Sequence, residues 1–241
     1  MKIALILTGQ FRNLSETYPY IKGRILDRFN PDVFISTWDP SDTIKSSLQA
    51  DTKHLTDSLT ADEVLQLFKP KRFLSQNFDS PEIQETVNRA KLYIGKSPMN
   101  GEMNPVSVFS MWYKIKNCLD LMLDYEEETG ERYDLIIKGR FDLKFHNNIP
   151  IPEYSTDILI PPGYDWRGGI NDIFAFGARD AMLYYCSLFN SIEKYIAQDN
   201  VFFHPETLLK HHLNLSDYKV IRPDIKVSLR GSKVWEKEVT K

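Results

Sequence analysis

The first 76 residues alternate short apolar runs with helical periods, and this alternation restricts the architectures open to the chain. "KIALILT" (2–8) is an apolar run closed by Gly9. It is too short for a buried helix and has the flanks of a buried strand. Asn13 and Glu16 stand at capping-box spacing and predict a helix reaching about Phe29. "DVFIST" (32–37) predicts a second strand, ended by Trp38-Asp39-Pro40, and the polar stretch 41–59 reads as an exposed loop. Thr60 and Glu63 cap another helix, and "KRFLSQ" (71–76) supplies a third strand. Strands separated by helices demand crossover connections, so the expected class is α/β with a mostly parallel sheet flanked by helices.

The longest helix is predicted over 105–128, with Asn104 as N-cap, Pro105 as first helical residue and Gly130 as terminator. Phe109, Trp112, Ile115, Leu119 and Met122 recur there at helical spacing and make one core-facing stripe. "YDLIIKGRFDLKF" (133–145) begins as a buried strand. "DILIPP" (157–162), a glycine-containing loop (163–169) and "DIFAFG" (172–177) follow. A helix is predicted from Arg179 to Ala197 and a short one at 205–213, before "YKVIRP" (218–223) and a polar tail. There is no repeat, low-complexity tract or Gly/Ser/Pro-rich linker, which argues for one domain over 1–241. Its N-terminal half ends at about residue 145, and a less regular half occupies about 146–230.

Apolar residues at 42% and charged residues at 26% are those of an ordinary globular domain. A net charge of −3 with dispersed lysines and arginines argues against a nucleic-acid partner. Cys118 and Cys186 fall in helical segments without a CxxC pattern, as expected of core thiols in a reducing compartment. No run approaches the roughly 18 apolar residues of a membrane span, so no transmembrane segment is expected. The apolar start is also short for a secretion signal, and a cytoplasmic location is the expectation.

Familiar motifs fail on inspection. "GKS" (95–97) copies the end of a P-loop, but Ala90 stands where its first glycine belongs. "GQFRNL" is not GxGxxG, and no HExxH, GxSxG or EF-hand loop is present. His211 and His212 are adjacent, so on a helix they diverge by roughly 100° and cannot form a zinc pair.

Ligands of open α/β sheets sit beyond the carboxyl ends of the strands. Here those ends carry Thr8, Gly9, Gln10 and Arg12 after the first strand, Trp38 and Asp39 after the second, and Arg140 and Asp142 in the later one. A polar rim with a glycine for close backbone approach suits a nucleotide or phosphate, although a turn with a surface arginine has the same composition. Trp38 suits either a base contact or the edge of the core. Arg140 and Asp142, two apart on a strand, project to one face with Cα atoms roughly 6–7 Å apart. A carboxylate there is the smallest protein contribution to a Mg²⁺ or Mn²⁺ site, and the arginine can hold phosphate or orient the carboxylate. A surface salt bridge would have the same spacing.

"YDLIIKGRFDLKF" resembles the (F/Y)D-hydrophobic-I-(K/R)-x-R-x-D segment of a family of GT-A-type nucleotide-sugar glycosyltransferases from surface-polysaccharide loci and large viruses and phages. "ALILTGQFR" and "DVFISTWD" resemble its first two strands, and "SMWYKIKNCLDLMLDYEEETGERYD" the helix leading into the motif. "GGINDIFAFGARDAMLYY" and "HPETLLKHHL" resemble its later segments, so the likeness covers most of residues 2–230. It implies a GT-A-like fold with a nucleotide-binding N-terminal half and an acceptor-side C-terminal half. The implied reaction moves a sugar from a nucleoside-diphosphate sugar to a glycan or lipid-linked hydroxyl acceptor. It also implies Asp142 as the metal-binding acid of a DxD-like motif, assisted by Mn²⁺ or Mg²⁺, with Arg140 where the first Asp would stand. On this reading Thr8, Gly9, Gln10, Arg12, Trp38, Asp39 and Arg140 serve the nucleotide. Asp172 is the first candidate for general base and Glu206 the second, while Asp165, Trp166 and Arg167 meet the acceptor. His204, His211 and His212 could approach the diphosphate, or simply lie on a solvated helix face. Two alternatives remain: a non-catalytic sugar-nucleotide or glycan-binding module, and a Mg²⁺-dependent nucleotide phosphotransferase or hydrolase.

Overall fold

Ile3–Thr8 is buried along its whole length and forms an interior strand, β1. In the computed structural model, which describes residues 1–11, 13–39, 59–93, 104–150 and 156–229, β1 pairs in parallel with β2 (Asp32–Trp38) and β4 (Leu135–Arg140). β3 (Arg72–Gln76) extends the parallel set beyond β2. On the other side, β7 (Ala175–Ala178) runs antiparallel to β4, and β6 (Ile158–Leu159) antiparallel to β7. β8 (Val220–Ile221) pairs in parallel with β6, giving the order β3-β2-β1-β4-β7-β6-β8. One seven-stranded sheet therefore spans both halves of a single domain, and the α/β expectation holds. The reversal at β7 makes the second half less regular.

Alternation along the strands divides the core into two layers. Ala4, Ile6, Phe34 and Ile136 face one cluster, and Ile3, Leu5, Leu7, Val33 and Ile137 face the other. The second layer is covered by α1 (Leu14–Ile21), the single turn α2 (Asp27–Phe29) and α3 (Ala61–Phe68). The first is covered by α4 (Pro81–Lys91), α5 (Pro105–Thr129), α6 (Arg179–Cys186), α7 (Ile192–Ala197) and α8 (Pro205–Asn214). Both cysteines are free and buried in that layer. At the amino end of β4, Glu126 accepts the Tyr133 backbone N–H at 2.8 Å and three N–H contacts from Arg179 at 2.6–3.1 Å. This staple ties α5 to α6 beneath the sheet. Among the described residues no helix is long and apolar enough to cross a membrane.

The helix signals were read unevenly. Thr60 and Glu63 form the full capping box, and Asn104, Pro105 and Gly130 (φ 70°) bound α5 as expected. Asn13 instead takes a left-handed conformation (φ 50°) and its side chain caps nothing. Pro19 lies inside α1, which passes through a π-helical stretch, Lys22–Leu26, into α2 instead of continuing as one helix to Phe29. The helix predicted over Arg179–Ala197 is interrupted by a 3₁₀ segment, Ser187–Ser191. Nor does the polar tail lack structure throughout. Val227–Leu229 is a strand, β9, antiparallel to β5 (Leu143–Phe145), and together they form a second, two-stranded sheet. Arg12, most of the 41–59 loop and the GKS segment lie outside the described residues.

Candidate functional site

Parallel register sets the carboxyl-end rim. Thr8 is the direct partner of Ser36 on one side and of Arg140 on the other. Gly9 follows at φ +104°, a conformation L side chains rarely adopt, and a Cβ there would meet nothing within 4 Å. The space over this turn is open. Thr37 fixes the turn by donating to the Gly9 carbonyl at 2.8 Å. Gln10 and Asp39, which follow β1 and β2, are half-buried.

β4 ends at Arg140, so Asp142 does not continue the strand as expected; Phe141 and Asp142 turn the chain into β5. Phe141 explains the bend: it is fully buried against Phe11 and Phe68 at ring separations of 5.0 and 5.9 Å. The Phe141 carbonyl accepts the Thr17 hydroxyl of α1. This anchorage lets Arg140 grip Asp142 with two bonds of 2.8 Å, from Nε and from Nη2. The Asp142 side chain is 4% exposed and that of Arg140 27%, so the arginine is the more open member of the pair. Burial opposes its charge, but the carboxylates of Asp142, Asp172 and Glu206 outweigh that and raise the Arg140 pKa.

The same carboxylates couple Arg140 to the C-terminal half. Asp172 is buried in the approach to β7, and its carbonyl accepts Nζ of Lys138 and, at 3.5 Å, the Tyr185 hydroxyl. Lys138 is fully desolvated, which pushes its pKa down to about 8 against the opposing pull of Asp172. Asn171 is also buried; it accepts the Ile173 N–H at 2.9 Å and donates to the Pro161 carbonyl at 3.3 Å, setting the direction of the following residue. Glu206 stands in the first turn of α8, 6% exposed. Burial raises its pKa, contact with His204 lowers it, and the nearby Asp172 charge raises it. Arg140, Asp142, Asp172 and Glu206, read from three separated segments, thus form one electrostatic cluster.

A glycine fastens Glu206 in place. A Cβ on Gly169 would lie 2.3 Å from the Glu206 carbonyl carbon and 2.5 Å from its oxygen. The next residue, Ile170, donates its N–H to that oxygen at 3.0 Å. The glycine loop therefore rests directly on the α8 backbone. Asp165 pins the loop, accepting the Asn171 N–H at 2.9 Å and Arg222 at 2.8–2.9 Å. Trp166 stands outward, 59% exposed, and Arg167 (φ 55°) is exposed beside it.

Trp38 lies in the core layer, 6% exposed. Its ring meets Phe78 at 5.1 Å and Tyr113 at 6.5 Å, and Lys114 Nζ sits 3.9 Å from the ring centroid. Burial brings the Lys114 pKa down to about 7, and its Nζ donates to Gln76 Oε1 at 2.6 Å. The histidines separate clearly. His211 pairs with Asp199 at 3.0 Å near the surface. His212 is buried, with Nε2 2.8 Å from the Tyr184 carbonyl and Nδ1 2.7 Å from the Tyr195 hydroxyl. Only His204 joins the cluster.

The donor set suits a resident divalent ion poorly. Both Asp142 oxygens already accept from Arg140, whose charge opposes a second cation at the same carboxylate. Among the described residues no group of three His, Cys, Asp or Glu side chains is placed to hold a metal.

Lys138 and Tyr185 belong to the cluster but carried no assigned role in the sequence, where His204 stood on a par with His211 and His212 as an approach to the diphosphate. A lysine inside the apolar run "LIIKG" was the available signal for Lys138, since a strand that buries both faces tolerates a lysine only with a partner. Compared with known proteins, the chain matches no family model and no curated sequence.

Proposed function

We propose that the protein transfers a glycosyl group from a nucleoside-diphosphate sugar to a hydroxyl acceptor. The observation that carries this reading is Arg140: a guanidinium at the carboxyl rim of a parallel sheet, held by Asp142 and near the carboxylates of Asp172 and Glu206. Asp142 occupies two of the guanidinium's five N–H donors, leaving three for a ligand's oxygens. A diphosphate leaving group gains negative charge as its bond to the sugar breaks, and a pre-oriented arginine stabilises that charge without reorganising. Thr8 and the open turn at Gly9 are adjacent in register, where a phosphate can approach the backbone. Asp172 and Glu206 form the basic side of the same cluster, and the exposed Trp166 offers a flat apolar face for a sugar acceptor.

The test is a thermal-shift titration with UDP, GDP and their sugar conjugates, with and without Mn²⁺. Stabilisation that persists in EDTA and is lost in Arg140→Met supports an arginine-held diphosphate. Stabilisation strictly dependent on Mn²⁺ and abolished in Asp142→Ala would return the leaving-group role to a metal. No response to any nucleoside diphosphate sinks the reading.

A further inference from the structure

We propose that His204 takes the proton from the acceptor hydroxyl, with Glu206 as the positioning residue that holds its ring, so that transfer inverts the anomeric carbon. This deepens the glycosyl-transfer reading and rests on it. Nδ1 of His204 and Oε2 of Glu206 are in direct contact. Both atoms are closed to solvent, and neither makes a hydrogen bond with a described residue, so each is the other's nearest polar approach. The His204 side chain keeps 11% of its surface exposed while this nitrogen is sealed, so the opening lies elsewhere on the side chain, and Nε2 is the ring's remaining polar atom. An imidazole that faces a carboxylate at one nitrogen leaves its other nitrogen as the place to accept a proton.

The backbone supports this placement. His204 is extended (φ −146°, ψ 146°) at the N-cap of α8, and its carbonyl accepts Leu208 N–H at 3.0 Å and the Thr207 hydroxyl at 2.9 Å. Glu206 is clamped by Gly169 and Ile170 from the glycine loop, which also carries Trp166. The groups acting on Glu206 besides His204 are Asp172 before β7, Arg140 at the end of β4 and Tyr185 of α6. Arg140 thus links the base pair to the diphosphate side. In the step itself, the acceptor O–H proton passes to Nε2 and the oxygen's electron pair forms the bond to the anomeric carbon. The bond from that carbon to the diphosphate breaks, and its electrons stay on the departing oxygen beside Arg140. The imidazolium then loses its proton to solvent.

Two measurements test it. In the ligand-free protein, ¹⁵N-histidine NMR at pH 8 should show His204 protonated at Nδ1 and bare at Nε2; the opposite tautomer overturns the proposal. In sugar-transfer assays over pH, wild type should lose rate as acid protonates the imidazole. His204→Gln should cut kcat by roughly 10²–10⁴-fold, erase that acidic limb and leave donor KM unchanged. Glu206→Gln should lower kcat with donor KM unchanged and let the Nε2–H tautomer of His204 appear, because the ring loses the carboxylate that faces Nδ1. If transfer occurs but the limb survives in His204→Gln and vanishes in Asp172→Asn, or if the product retains the donor configuration, the proposal is wrong while glycosyl transfer stands. If no nucleotide sugar is bound or turned over, both fall together, whatever the tautomer.

Discussion

Replacing Gly169 by alanine tests how firmly the glycine loop sits on α8. The added methyl would lie 2.3 Å from the Glu206 carbonyl carbon, 2.5 Å from its oxygen and 2.6 Å from its Cβ. Two of these atoms are backbone, so no rotamer change relieves the overlap; the loop and the helix must part. Overpacking of this kind costs about 1–3 kcal/mol. Separation also breaks the 3.0 Å Ile170–Glu206 backbone bond, worth about 1 kcal/mol. The expected loss is therefore about 2–4 kcal/mol in urea unfolding, or a fall in Tm of about 4–16 °C for a chain of this size. Gly23→Ala is the internal control. It lies in the π-helical stretch with nothing within 4 Å of a Cβ. It should be neutral or stabilise by about 0.4–1 kcal/mol through the unfolded chain. If Gly169→Ala unfolds within about 0.5 kcal/mol of wild type, the loop does not press on α8 and Glu206 has no fixed seat.

Arg179→Met should cost about 3 kcal/mol in urea unfolding, because it leaves the mostly buried Glu126 without its cation; a loss below about 1 kcal/mol would mean that water replaces the arginine freely. Burial lowers the His212 pKa, so the unfolded chain takes up that proton first. Stability from this site is full above about pH 6.5 and declines as the pH falls below it, a slope that should flatten in His212→Gln. Lys114 has the corresponding lysine behaviour: folded near 7 and unfolded near about 10.5, it penalises the fold fully below pH 7 and progressively less up to pH 10.5. Lys114→Met should thus gain more stability over wild type at pH 6 than at pH 9 in parallel urea titrations, and equal gains would place the amine in water.

Legibility followed the range of the interactions. β1, β2 and β4 were readable because a strand buried on both faces needs a run such as "IALIL", and α5 because Asn104, Pro105 and Gly130 act within a turn of their own positions. The capping box at Thr60 formed and the one at Asn13 did not, although the local spacing is the same. At Asn13, Glu16 is drawn toward Lys144, a residue 128 positions away that no local rule contains. β9 was missed because three residues, "VSL", carry almost no periodicity, and their partner β5 is itself three residues long. In the site, Arg140 and Asp142 were visible from spacing, and Asp172 and Glu206 entered only through resemblance to a family. His204 could not be separated from His211 and His212 in the sequence. What distinguishes it is the contact with Glu206 and the loop pressing on that residue, both products of tertiary packing.

The pairing of β5 with β9 has a consequence for the order in which the protein acquires its site. The Arg140–Asp142 turn runs straight into β5, whose partner is the last described strand, with Leu143 opposite Leu229. A nascent chain emerges N-terminus first, so β1, β2 and β4 can form their parallel ladders while β9 is still being made. Until then the turn is held by earlier elements, through Thr17 of α1 and the contacts of Phe141 with Phe11 and Phe68. The rim that would handle a reactive donor thus gains its brace on the β5 side only once β9 has joined its partner.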